Sequence, residues 1–201
     1  MTQILVTVVV YAGLLCAVPF ALGASPMGKA ANADQSPPAS MSRHLLWEEL
    51  IPKNWNAIEE VRRRLKERNI TVVSDYGPHA AEIIRQMRDV FDNAPTNPAI
   101  SGVSGRLPGY VVPLEESAQG MKEFLLVPYF GACIHSPPPP ANQIVHVFSA
   151  KPVKGFHSMD TVWVVGKLKT ERAESDMGRS GYRIDAIAVE RYVRPATATD
   201  K

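Results

Sequence analysis

Apolar residues between positions 55 and 91 recur at helical spacing, and beyond position 98 they gather into short β-branched runs. Trp55, Ile58, Val61 and Leu65 fall on one face of a helix, with Glu59, Glu60, Arg62, Arg63 and Arg64 on the other. The arginine run reads as a solvated face. Ala81, Ile84, Met87, Val90 and Phe91 define a second helix, which Pro78 precedes and Asn93-Ala94-Pro95 and Pro98 stop. His79 falls in its first turn, as a surface histidine. From there the rhythm changes to strands. The chain predicts β-prone pieces over residues 101–115, 121–127, 143–148, 161–170 and 182–193, the last alternating Ile184, Ala186 and Ala188 with Arg183, Asp185 and Ile187. Helices first and five strands after, without α/β alternation, predict an α+β fold. The N-terminal helices precede a five-stranded antiparallel sheet or small OB-like barrel. Val162-Trp163-Val164-Val165 reads as a central strand, with Trp163 largely buried.

The N-terminus adds an export signal to this picture. Residues 4–22 are almost wholly apolar, and the small residues of Ala21-Leu22-Gly23-Ala24 follow, as in the apolar and cleavage regions of a signal peptide. The segment Met1-Thr2-Gln3 lacks the usual Lys or Arg, so an uncleaved membrane anchor is the alternative. The expected organisation is a signal peptide over 1–23, a flexible Ala/Ser/Pro-rich leader over 24–42 and a helical arm over 43–98. An antiparallel β domain over 99–195 and a tail over 196–201 complete it. The protein is expected in the periplasm, touching the membrane only through the N-terminal segment if that stays attached.

Composition narrows the function classes. With 201 residues and a net charge of +2, the chain has no basic stripe interleaved with aromatics, so no nucleic-acid partner is expected. It has two cysteines. Removal of the export segment takes Cys16 with it and leaves Cys133 alone. A single cysteine in an exported protein points to a reactive thiol, a metal ligand or an intermolecular bond.

Cys133 lies in the most informative stretch of the chain, Tyr129-Phe130-Gly131-Ala132-Cys133-Ile134-His135-Ser136, which runs into Pro137, Pro138, Pro139 and Pro140. Four prolines can form neither helix nor paired strand, and they favour a stiff polyproline II rod. In an extended segment residues i and i+2 share a side, so Cys133 and His135 can converge on one ligand. Zinc takes Cys and His donors, and Cu(I) favours thiolate. Two ligands are too few, and the candidates for completing the set are His146, His157, Glu115, Glu123, Asp160 and Asp185. His146, alternating with Ile144 and Phe148 on an apolar strand, reads first as a hydrogen-bonded core histidine and, in the metal reading, as the third ligand. Alternatively, His135 activates the Cys133 thiol for nucleophilic or redox chemistry. In a third reading Tyr129, Phe130 and the prolines form a protein-interaction surface over a buried Cys133.

The pieces Pro108-Gly109-Tyr110-Val111-Val112-Pro113-Leu114-Glu115, the run from Glu123 to His135, the four prolines and Asn142-Gln143-Ile144-Val145 resemble a family of exported bacterial proteins known as a domain of unknown function. Trp47-Glu48-Glu49-Leu50-Ile51-Pro52, Asp92-Asn93-Ala94-Pro95 and Val162-Trp163-Val164-Val165-Gly166 extend the likeness. The resemblance implies a periplasmic or lipid-anchored protein, in some cases encoded beside ABC-transporter components linked to metal response. It brings no activity with it. The expected function is a non-enzymatic accessory or binding protein of an envelope transport or metal-handling system, with zinc or Cu(I) at Cys133, His135 and His146.

Overall fold

Asn56 starts the first helix, α1 (Ala57–Glu67), by accepting hydrogen bonds on its side chain from the backbone of Ile58 (2.9 Å) and Glu59 (3.1 Å). The second, α2 (Ala80–Asp92), ends where the Asn93 side chain donates back to the Asp89 carbonyl at 2.9 Å. An Arg64–Asp89 ion pair joins the two helices. This computed structural model describes residues 43–70, 79–115, 117–132 and 138–193, all within the unit spanning 37–201. The expected signal peptide (1–23) and leader (24–42) lie outside the described residues. Among the described residues no helix is long and apolar enough to cross a membrane.

The strands are β1 (Ser104–Pro113), β2 (Met121–Val127), β3 (Val145–Val153), β4 (Thr161–Ser175) and β5 (Gly178–Arg191). They form a five-stranded mixed sheet in the order β1-β2-β3-β5-β4, and β4 pairs back onto β1 so that the ring of pairings closes. The expectation of a purely antiparallel sheet is corrected here, because β3 and β5 run parallel, with Val145 opposite Tyr182 and Val147 opposite Ile184. The reason is parity. Strand directions around a closed ring of five cannot alternate at every step, so at least one neighbouring pair must run the same way.

Alternation sorts the side chains of each strand. Leu107, Val111, Phe124, Leu126, Val145, Val147, Val162, Val164, Leu168, Tyr182 and Ile184 share one core inside the ring. Trp163 is buried in part, but from outside the ring rather than in the core. Its neighbours Val162 and Val164 take the inward positions, so the indole stands half-buried on the outer face, with the Arg106 guanidinium 4.4 Å from its centroid and Tyr192 at 5.3 Å.

Residues 43–51, which include the 3-10 turn Trp47–Leu50, pack as part of the core. Leu45 and Leu50 are fully buried in it, and the Trp47 indole donates to the Pro108 carbonyl at 2.7 Å. Gly105 makes room for this segment. A Cβ there would sit 2.7 Å from the Arg43 carbonyl oxygen and 2.8 Å from Leu45 Cγ.

Candidate functional site

A second, smaller cluster lies on the outer face of the sheet and holds Ala132, the last described residue before Cys133. Val112 of β1, Leu125 and Val127 of β2, Ala132 and Ile144 are buried together, with Tyr110, Leu114, Met159 and Met177 packed against them. The chain leaves β2 at Pro128. Phe130 is 67 % exposed and meets Tyr110 edge to face at 5.9 Å. Gly131 then turns with φ +82°, a conformation that favours glycine. Its N–H donates to Met159 Sδ at 3.2 Å. Ala132 is fully buried.

Cys133, His135 and Pro137, the centre of the sequence-based site, lie outside the described residues. The chain is described again from Pro138. Pro140 has φ −55° and ψ 146°, the polyproline II region, and the 3-10 turn Ala141–Gln143 follows. Two amides tie that turn to the rest of the fold. Asn142 Nδ2 donates to the Pro95 carbonyl at 2.8 Å, and Gln143 Nε2 donates to the Trp47 carbonyl at 3.0 Å. Asn142 is fully buried, and among the described residues its Oδ1 has no hydrogen-bond partner. Sequence reasoning missed Asn142 and Met159. The available signal was a polar Asn-Gln pair directly before an apolar strand.

His146 occupies an outward position on β3, opposite Leu125 of β2 and Arg183 of β5. Leu125 shares its cluster with Ala132, the residue immediately before Cys133, and with Ile144. The imidazole is only 6 % exposed and rests on Phe148, with ring centroids 4.4 Å apart. Its Nε2 lies 2.7 Å from Glu123 Oε1. Among the described residues the buried Nε2 makes no aligned hydrogen bond. Beyond Phe148 the Arg183 guanidinium stacks at 3.9 Å. Arg183 is itself paired with Asp185 at 2.8 Å and Glu171 at 3.0 Å.

Of the candidate donors, the structure brings His146 and Glu123 together. His157 is 86 % exposed at its side chain, in a turn where its backbone N–H donates to Asp160 at 3.0 Å. Asp185 is engaged by Lys169 at 2.5 Å and by Arg183, and Lys169 first, then Arg183, hold its carboxyl below the usual carboxylate range. Glu115 is exposed. Among the described residues no three His, Cys, Asp or Glu side chains converge to hold a metal ion. Carboxylate and imidazole are both donor types that a divalent cation accepts, and here the described residues bring together only these two.

No curated protein matches the chain. Among solved structures it is similar to a DUF3299 family protein from Pseudomonas aeruginosa PAO1, described in a crystal structure at 2.45 Å resolution. The two are 38 % identical, and the match covers 77 % of this chain and 98 % of that one with a TM-score of 0.56. Residues 47–191 match the family model described as Protein of unknown function (DUF3299), and the chain belongs to that family.

Proposed function

We propose that this chain is a periplasmic accessory or binding protein of an envelope transport or metal-handling system, with Zn²⁺ or Cu(I) held by Cys133, His135 and His146. One observation carries the reading. A nearly buried imidazole, paired with a carboxylate, stands on the outer wall in register with the cluster that includes Ala132, next to the Cys133-Ile134-His135 run. When bound, the metal would supply a soft or borderline Lewis-acid centre. The chain itself supplies position, through the Gly131 turn docked on Met159 and the 141–143 turn tied to Pro95 and Trp47. We read the closed ring with its parallel β3–β5 pair as a small OB-type barrel.

Metal analysis of protein purified without an affinity tag tests the proposal, together with thiol titration. Stoichiometric zinc or copper, lost in Cys133→Ala while the fold persists, is the expected result. A metal-free protein whose Cys133 reacts rapidly with a thiol reagent would favour thiol chemistry activated by His135. A second reading, a protein-interaction surface, draws on the exposure of Phe130 beside Tyr129. Unchanged metal content in Cys133→Ala and a thiol inert to reagents would favour it.

A further inference from the structure

We propose that the end of the ring where the β1–β2 hairpin meets the β3–β4 connection binds a small molecule with an apolar body and an anionic head, of the class of a medium-chain carboxylate. It shares no residue with the metal site proposed above, and each reading stands or falls without the other.

A cavity of about 290 Å³ lies at this end of the ring, at the lower limit of the size of small-molecule pockets. Its lining falls within residues 117–121 and 153–157. The floor is apolar. Met121 is 5 % exposed and belongs to the core inside the ring, and Val153 and Phe156 pack against that core. An apolar body seated on them leaves water as a core side chain does.

The walls are set before any ligand arrives. Ser117 Oγ donates to the Gly120 carbonyl at 2.7 Å, and the Gly120 N–H donates back to the Ser117 carbonyl at 2.9 Å. Gly120 turns with φ +101°, and a Cβ there would stand 2.5 Å from the Val153 carbonyl oxygen and 2.9 Å from Lys154 Cγ. The missing side chain lets the hairpin rest directly on Val153 and the Lys154 stem. Gly155 is the opposite case, because a Cβ there would meet nothing within 4 Å. A pocket closed on one side by its own hydrogen bonds and open on the other asks little ordering of its ligand.

Charge then selects the head group. The described lining residues include Lys154 and His157 and no Asp or Glu. Lys154 is exposed and makes no ion pair among the described residues. Arg191 reaches the same loop, donating to the Gly155 carbonyl at 2.9 Å with its guanidinium 5.1 Å from the Phe156 centroid. The adjoining carboxylate, Asp160, accepts from the His157 N–H at 3.0 Å and stands 3.9 Å from Arg191, so its charge is met in place. What remains is a cation on a flexible stem above an apolar floor. Such a group takes a carboxylate as a point charge and repels an ammonium.

The test is titration of the full mature chain with octanoate, n-octanol and octylamine, followed by backbone amide chemical shifts, in wild type, Lys154→Glu and Ala118→Trp. Thermal unfolding serves as the control for folding. Ala118 lines the cavity from an exposed position, so an indole there fills the space without entering the core. Octanoate should saturate with its shifts gathered in residues 117–121 and 153–157, and should bind roughly tenfold more tightly than octylamine. Lys154→Glu should weaken octanoate by roughly tenfold and leave octanol within about twofold, the scale of exchanging one exposed attraction for a repulsion. Ala118→Trp should abolish binding of all three. Equal affinity for octanoate and octylamine would overturn the inference, since the head group would then go unread. Shifts that never saturate, or that gather elsewhere on the fold, would overturn the site itself. If Ala118→Trp does not fold, Lys154→Glu decides: unchanged octanoate affinity in that variant overturns the proposal.

Discussion

The Tyr182 hydroxyl, fully buried on β5, donates a 2.6 Å hydrogen bond to the carbonyl of Leu50. The same oxygen accepts from the Asn97 backbone N–H at 2.5 Å, so one phenol ties the N-terminal segment and the turn after α2 to the sheet. Burial pushes the Tyr182 phenol up, which keeps the proton that the Leu50 bond requires.

Tyr182→Phe strands the buried Leu50 carbonyl and the partly buried Asn97 N–H at once. It should cost about 2–3 kcal/mol, the scale of leaving buried polar groups unsatisfied, with little change in denaturant slope. Urea unfolding checks this, and a loss under 0.5 kcal/mol would show that water replaces the hydroxyl.

Arg172 of β4 carries the corresponding tie to α2. Its guanidinium donates to the Asp92 carbonyl at 3.2 Å and to the Ala94 carbonyl at 2.5 Å. Arg172→Met keeps much of the stem and removes both bonds, so the loss should be about 1.5–3 kcal/mol, as for hydrogen bonds to a charged group. Hydrogen exchange should speed up in the last turn of α2 and leave β1 and β2 unchanged.

Gly166 sits at a bulge where β4 crosses β5. A Cβ there would lie 2.4 Å from the Asp185 carbonyl oxygen and 2.7 Å from Ile184 Cγ2. Neither neighbour is the free end of a flexible side chain, so Gly166→Ala must shift β5. Overpacking of this kind costs about 1–3 kcal/mol. A melting temperature unchanged from wild type would count against the close approach.

Acid should weaken α1 through Glu60. The hydrogen bond from Arg63, with a further one from Arg64, brings the Glu60 carboxyl down to about 2. A folded-state pKa below the unfolded one means that this stabilisation is complete above the ordinary carboxylate range and fades as pH falls toward 2. Asp185, held down by Lys169 and then Arg183, acts in the same direction. Arg63→Gln should therefore flatten the loss of melting temperature between pH 5 and about pH 2.5, and added salt should shrink the difference from wild type.

The cadence of apolar positions determined both helices, the approximate extents of the five strands and the interruption between Val127 and Ile144. Each depends on neighbours close in sequence: Asn56 capping α1, Val162 and Val164 marking one face of β4, and prolines that cannot enter a ladder. Local pattern says that alternate residues share a face, and leaves open which face is the inside. For that reason Trp163 looked like core, although Val162 and Val164 hold the inward positions. The parallel pairing of β3 with β5 arises only when five strands close into a ring. Likewise Glu123 and His146 are 23 positions apart and meet because the β2–β3 register places Glu123 opposite Phe148 and Leu125 opposite His146. Periodicity is a property of the chain, whereas register, ring closure and the pairing of distant polar groups are properties of contacts that exist only once the chain has folded.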